Sequence, residues 1–330
     1  MGFLFAFPAM VIGFFVRLGW VRSIALLVGS GFALAATISL GSGIAAYYAT
    51  PPLPLAADEF HLEPKELTLA SDGPFGRFDK AQVQRGLQVY TEVCKGCHSL
   101  NFVAFRDIKA LGYTDNEVKA FAAQWDVPSI NPDTGEPATR KGIPSDHFPA
   151  PFPNETAARA NNNNALPPDL SLIAKSREGG PSYIYSLLTG YTNQAGYRNE
   201  KGAELLTEFP DAKTPPNLHF NPYFANLNLA MPPPLKGGEI TYADGTPNTL
   251  DQEAKDVAAF LAWTAEPKLE ARHATGLSVT IFLLVATILA YLAYQNVWAS
   301  AKRVVRVTGP LEPNNQAKTK KAKTKAGVAG

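Results

Sequence analysis

The hydrophobic and polar positions of this chain fall into two regimes. Two uncharged apolar runs, Ile24–Tyr48 and Ala274–Tyr294, are 25 and 21 residues long, and each is long enough for a helix to cross a bilayer. Between them the pattern turns periodic. Val83, Leu87 and Tyr90 recur at i, i+4 and i+7, which predicts a helix with one buried face. Asp79, with Gln82 three residues on, reads as a capping box at its start. A second helix is expected from Pro181 to Thr189, carrying Tyr183, Ile184, Leu187 and Leu188 and ended by Gly190. A third starts near Thr249, stacks Ala254, Val257, Ala258 and Leu261, and stops at Pro267. No strand pattern of useful length and no internal repeat stands out.

The rest of the middle region is loop, and proline punctuates it. There are 27 prolines in 330 residues, against a usual share of about 5%, and they cluster in "PAPFP", "LPPDL", "TPPN" and "MPPPL". Long irregular loops normally count against a compact domain. A large buried apolar cofactor would change that, because the loops could pack on it.

Composition as a whole is ordinary, at 46% hydrophobic with a net charge of +1; the distribution of charge is not. After the second run come Lys302, Arg303, Arg306 and the tail "KTKKAKTK", eight basic residues against the single acid Glu312. The positive-inside rule puts that tail in the cytoplasm and the region between the runs outside. Residues 50–273 hold 20 Lys and Arg against 28 Asp and Glu, a net of −8. Such an outward-facing acidic domain would steer a basic partner in a salt-dependent way, or the charge serves solubility alone. Nothing in the pattern suggests nucleic-acid binding. At the other end, Arg17 and Arg22 precede a run longer than the usual signal core. The stretch "MGFLFAFPAMVIGFFV" ahead of it is short for a span. This end reads as a cleaved export signal or a retained anchor.

Both cysteines of the chain lie within four residues, in "EVCKGCHSL". Structural zinc takes four ligands, usually with a second Cys or His pair. Here His61, His147, His219 and His273 stand apart without ligand spacing. A thioredoxin-like pair also uses C-x-x-C but has no following histidine in its pattern. Covalent haem attachment uses all three residues: Cys94 and Cys97 as thioethers to the vinyls, His98 as an axial ligand. The expected architecture is therefore all-α: a c-type cytochrome haem domain with long irregular loops. A C-terminal transmembrane helix and an N-terminal signal or anchor helix complete it.

The other axial position decides the chemistry, since an open one suits oxygen or peroxide and a methionine sulfur suits electron transfer. Met1 and Met10 lie in the leader, leaving Met231 in "LNLAMPPPL", where three prolines stiffen the loop. Met231 is the favoured ligand; His219, then His147, compete with it.

The segments "LQVYTEVCKGCHSLNFVAFRD", "NNNNALPPDLSLIAKSREGG", "YIYSLLTGY", "FNPYF", "MPPPL", "DGTP" and "AKDVAAFLAWTAEP" follow one another in an order that resembles the cytochrome c1 family, haem subunits of ubiquinol–cytochrome c reductase (bc1) complexes. The likeness runs over roughly residues 58–300. It implies one haem c held by Cys94 and Cys97, with His98 and Met231 on the iron. It also implies that the Pro167 carbonyl accepts the His98 Nδ1–H, that Arg177 pairs with a haem propionate, and that Tyr183 and Asn162 line the crevice. Two departures stand out. Asn164 occupies a position where the family more commonly has glycine, and asparagine tolerates positive φ better than most residues. The extra disulfide of some bacterial relatives is impossible here, because both cysteines are committed to haem.

The organisation expected is an export signal or signal-anchor over 1–49, a linker and arm over 50–78, and a haem domain over 79–272. An anchor helix over 273–299 and a basic tail over 300–330 follow. The resemblance implies electron transfer from a Rieske iron–sulfur protein to a soluble or membrane-bound c-type cytochrome, beside cytochrome b. It places the haem domain on the periplasmic side of a bacterial inner membrane. No catalytic residue is expected, only a subunit of a quinol–cytochrome c oxidoreductase. The alternatives are a free-standing membrane-anchored cytochrome c feeding a terminal oxidase, and a haem sensor or peroxidase-like protein with an open iron position.

Overall fold

The computed structural model describes residues 19–49 and 54–308; the start of the leader and the "KTKKAKTK" tail lie outside them. The chain divides into a unit ending at Phe60 and a unit starting at His61. The first holds α1, Trp20–Ala49, and the short α2, Ala56–Phe60. α1 is apolar on every side, with Phe32, Leu34 and Ile38 exposed, as expected of a helix whose solvent is not water.

The second unit opens with α3, Lys80–Glu92, followed by α4, Asp115–Ala122, and the strands β1, Asp126–Ile130, and β2, Pro137–Lys141. Then come α5, Glu155–Asn161, α6, Ile173–Ser176, α7, Gly180–Thr189, and α8, Leu205–Glu208. A two-residue ladder pairs β3, His219–Phe220, with β4, Asn228–Leu229. The long helices α9, Leu250–Ala265, and α10, Leu269–Thr308, finish the described chain.

The three expected helices form the core of this unit. Val83, Leu87 and Tyr90 are buried on α3, and Ala254, Val257, Ala258 and Leu261 on α9, together with Phe260 and Trp263. α3 crosses α9 at Gly86, where a Cβ would stand 2.0 Å from the Asp256 carbonyl oxygen and 2.6 Å from the Phe260 Cβ. Only a residue without a side chain permits that approach. Next to the crossing, Arg85 Nε donates to the buried Asp256 carboxylate at 2.9 Å and its Nη1 to Asp244 at 2.8 Å. The ion pair thereby ties the "DGTP" loop to both helices. α7 joins α9 through the Tyr185 hydroxyl, which donates to Asp251 at 2.7 Å.

Helix ends follow the expected chemistry in most places. Thr249 caps α9, accepting from Gln252 N at 3.2 Å. Asp79 caps α3 by accepting from Ala81 N and Gln82 N, so the cap comes from Asp79 as a simple N-cap. The two-residue ladder and the β1–β2 hairpin depart from the strand-free expectation. The hairpin pairs Asp126 with Lys141 through Ile130 with Pro137. A ribbon of two strands has only edges, so Pro128 and Pro137 are tolerated, and its mostly exposed residues carry no apolar alternation to read.

α9 and α10 are separated by Glu266, Pro267 and Lys268 alone. Glu266 pairs with Lys175 of α6 at 3.1 Å and with Arg272 of α10. Farther into α10, Glu270 accepts from Phe78 N at 3.1 Å, and His273 Nδ1 lies 3.2 Å from the Gly76 carbonyl oxygen. The polar first turns of α10 thus belong to the globular unit, and the helix starts ahead of its apolar run. Beyond them Phe282, Leu289 and Leu292 are exposed along it.

Candidate haem centre

α3 delivers the chain directly into a 3₁₀ turn at Cys94–Gly96. Cys97 N and His98 N both donate to the Cys94 carbonyl, at 3.2 and 3.0 Å, which packs the two thiols and the imidazole around one tight corner. A Cβ on Gly96 would meet nothing within 4 Å. Burial pushes the Cys94 thiol up to about 12, with Cys97 adding to the effect. A thiol held in its protonated form is a poor nucleophile for thiol–disulfide exchange. Among the described residues no group of three His, Cys, Asp or Glu side chains could hold a metal ion. Two thiols and an imidazole held at one corner suit thioether attachment of a haem whose iron His98 would ligate.

The His98 ring is fixed for that role. Its Nδ1 lies 2.8 Å from the Pro168 carbonyl oxygen. A carbonyl can only accept, so Nδ1 carries the hydrogen and the Nε2 lone pair is left for iron. Burial holds this ring below its ordinary pKa, which keeps it neutral at pH 7. The acceptor is Pro168 and not Pro167. Proline following proline confines Pro167 to extended backbone, where successive carbonyls point to different sides, and it is the second that turns toward the imidazole.

The same segment is laced to the "CHSLNF" loop by a carboxylate that the sequence reading left unassigned. Asp169 Oδ2 accepts from Ser99 Oγ at 2.8 Å and from Asn101 N at 2.8 Å. Its Oδ1 accepts from Ser171 N at 2.9 Å. The buried Ser171 hydroxyl accepts from Phe102 N at 3.0 Å, and Leu170 N donates to the Ser99 carbonyl at 3.0 Å. The signal was present in "PPDLS", since an aspartate two residues before a serine forms an Asx turn.

Arg177 and Tyr183 are close enough to interact electrostatically, and the guanidinium charge opposes the burial that raises the Tyr183 pKa; the Arg177 Nη1 itself donates to the Ser176 carbonyl at 3.2 Å. Asn162, half-buried at the end of α5, donates from Nδ2 to the Ala158 carbonyl at 2.7 Å, so its amide serves its own helix. Asn163 and Asn164 follow at φ 49° and 63°, the left-handed region in which asparagine stands in for glycine.

Met231 is half-buried between the buried Leu229 and Leu235. Its carbonyl accepts from the Tyr191 hydroxyl at 3.0 Å. Tyr191 follows Gly190, against which the Tyr223 ring packs so closely that a Cβ would lie 2.4 Å from Tyr223 Cδ2. The "FNPYF" turn explains the contact. Asn221 Nδ2 donates to the Leu187 carbonyl at 2.8 Å and Asn221 N to the Leu227 carbonyl at 2.9 Å, with Leu227 strained at φ 65°. His219 lies opposite Leu229 in the short ladder and lines a 390 Å³ cavity with Tyr191, Thr214 and Pro233. His147 is exposed, bridging to Ala104.

Residues 69–301 match the model of the cytochrome C1 family. The chain is 46% identical to the cytochrome c1 of Rhodospirillum rubrum, over 70% of this chain and 85% of that protein. It is 40% identical to the mitochondrial cytochrome c1 heme protein of Saccharomyces cerevisiae, over 78% and 80% of the two chains. A longer protein of Bradyrhizobium diazoefficiens, named cytochrome b/c1, is 43% identical over 69% of this chain and 34% of its own length.

Proposed function

The chain belongs to the cytochrome c1 family, and from that premise we propose that it accepts one electron at a time from a Rieske iron–sulfur protein and passes it to a c-type cytochrome. Family membership makes it a membrane-anchored electron-transfer haem subunit of a bc1 complex, with covalently bound haem c. Cys94 and Cys97 would hold a single haem, and His98 and Met231 would be the protein ligands to its iron. Bound there, the haem supplies reversible one-electron chemistry at iron. The relative named cytochrome b/c1 supports cytochrome b as the membrane partner. The basic residues after the second span support a cytoplasmic tail and a periplasmic haem domain in a bacterial inner membrane.

The observation that carries this reading is the 2.8 Å contact between His98 Nδ1 and the Pro168 carbonyl. It orients the imidazole and raises its basicity toward a metal on the other nitrogen. The residues around it have positioning work and no bond-making work. Asp169 locks the loop after His98, and Arg177, with Tyr183 near it, offers a cation to a propionate. Rigid ligands suit an electron carrier, since little has to move when the charge on the site changes.

The deciding experiment is the redox spectrum of the covalent haem in native membranes after a quinol is added, with and without an inhibitor of the quinol-oxidation site. Fast reduction that the inhibitor abolishes is the expected result. Haem that ignores quinol, or is reduced despite the inhibitor, rejects the assignment in favour of a free-standing carrier. Rapid carbon monoxide binding to the reduced wild-type protein instead points to an open iron position and rejects electron transfer.

A further inference from the structure

We propose that Tyr191 is a positioning residue for the distal iron ligand, acting through the Met231 main chain. The inference rests on the reading that Met231 is that ligand. Three consecutive prolines follow Met231, and none has an N–H, so the segment cannot secure itself with its own donors across Pro232, Pro233 and Pro234. Side chains must do that work from outside. The Tyr191 hydroxyl does so, donating to the Met231 carbonyl at 3.0 Å across 40 residues of sequence.

Tyr191 is itself held on a built platform. It leaves the end of α7 at Gly190, whose missing side chain admits the Tyr223 ring. Asn221 secures that turn to α7 by satisfying the Leu187 carbonyl, one of the acceptors a helix end leaves open. Three residues on, the buried Gln194 clamps the following loop from both ends of its amide. Its Nε2 donates to the Ala212 carbonyl and its Oε1 accepts from Thr214 N, each at 2.8 Å. Tyr191 is half-buried, and a phenol ordinarily ionises far above neutral pH. The phenol therefore stays protonated and keeps its role as a donor. A thioether bonds iron weakly, so a loosened Met231 loop is expected to surrender its place to stronger exogenous ligands, most readily in the oxidised protein.

The test compares Tyr191→Phe, Met231→Leu and Asn193→Ala, each as the membrane-anchored holoprotein. Asn193→Ala perturbs the same exposed turn without touching Met231. The readouts are imidazole affinity of the oxidised haem, the far-red sulfur-to-iron charge-transfer band, and the thermal unfolding midpoint. Tyr191→Phe removes one hydrogen bond, and its expected effect is a rise of about five- to tenfold in imidazole affinity with a weakened far-red band. Asn193→Ala is expected to match the wild type. Wild-type affinity and band in folded Tyr191→Phe, beside an opened iron in Met231→Leu, overturn the role of Tyr191 while leaving Met231 as the ligand. A wild type that lacks the far-red band, with an imidazole affinity that Met231→Leu leaves unchanged, overturns the ligand reading itself and moves the distal position to His219. Equal rises in Tyr191→Phe and Asn193→Ala reduce Tyr191 to general support of the turn and reject the proposal. Should Tyr191→Phe not fold, the imidazole affinity of Gln194→Met decides. A rise that Asn193→Ala does not share supports a platform that holds the ligand; no change, or an equal rise in Asn193→Ala, rejects it.

Discussion

At the scale of single residues, the chemistry of this protein turns on groups that are buried and paired, and on two that are buried and unpaired. Both Glu253 carboxylate oxygens and the Tyr242 hydroxyl are buried without a hydrogen-bond partner among the described residues. Burial, then the neighbouring Glu239, raises the Glu253 pKa above 4.5. The folded state therefore holds a proton that the unfolded chain releases. Glu253 favours folding most below the unfolded value, and that contribution is lost as pH rises through the raised folded value. Glu253→Gln is expected to stabilise the protein at neutral pH by about 1–3 kcal/mol, because it removes the cost of ionising a buried carboxyl. It is also expected to flatten the pH dependence seen in chemical unfolding. Equal slopes for the two proteins as pH rises above 4.5 would exclude this role. The identities of Cys94, Cys97 and His98 as a cluster were open in the sequence, because scarce cysteine in a tight spacing has few uses. Tyr191 was not, since a hydrogen bond spanning 40 residues leaves no local pattern. The shift from Pro167 to Pro168 has a similar origin. Two adjacent prolines are alike in sequence, and only the direction of a carbonyl tells them apart.

Among the elements, the helices were legible and the ribbons were not. α3, α7 and α9 each carry an apolar face at helical spacing and a recognisable end. Thr249 before α9 and Pro267 beyond it bracket that helix closely. The β1–β2 hairpin has neither a buried face nor a proline-free run, so nothing in its sequence distinguishes it from loop. Gly86 was equally silent: a glycine inside a helix reads as a weakness until the partner backbone is seen beside it. Gly86→Ala puts a methyl 2.0 Å from the Asp256 carbonyl oxygen, backbone that cannot yield without moving α3 from α9. The expected loss is about 1–3 kcal/mol, or more if Arg85 and Asp256 are also pulled apart. Thermal unfolding of the holoprotein checks it, and a midpoint equal to that of wild type would mean that the helices can separate freely at this crossing.

For the whole molecule, the uneven distribution of charge matters more than its near-zero sum. Residues 50–273 carry a net −8, so association with a basic electron acceptor is expected to slow steeply as ionic strength rises from about 0.01 to 0.15 M, where screening shortens from about 30 to 8 Å. Stopped-flow oxidation of the reduced haem by a basic c-type cytochrome measures this. A rate indifferent to salt would leave the acidic surface a matter of solubility alone.

The junction of α9 with α10 has a consequence for traffic between partners. Glu266, Pro267 and Lys268 can span no more than about 10 Å even when fully extended, and Glu266 is pinned on both sides by Lys175 and Arg272. A domain mounted so short on its membrane helix works like a fixed terminal. It has no tether on which to swing between a donor and an acceptor. On the proposed electron-transfer role, any gap between donor and acceptor would have to be crossed by the visitors, and their arrivals and departures would time the turnover.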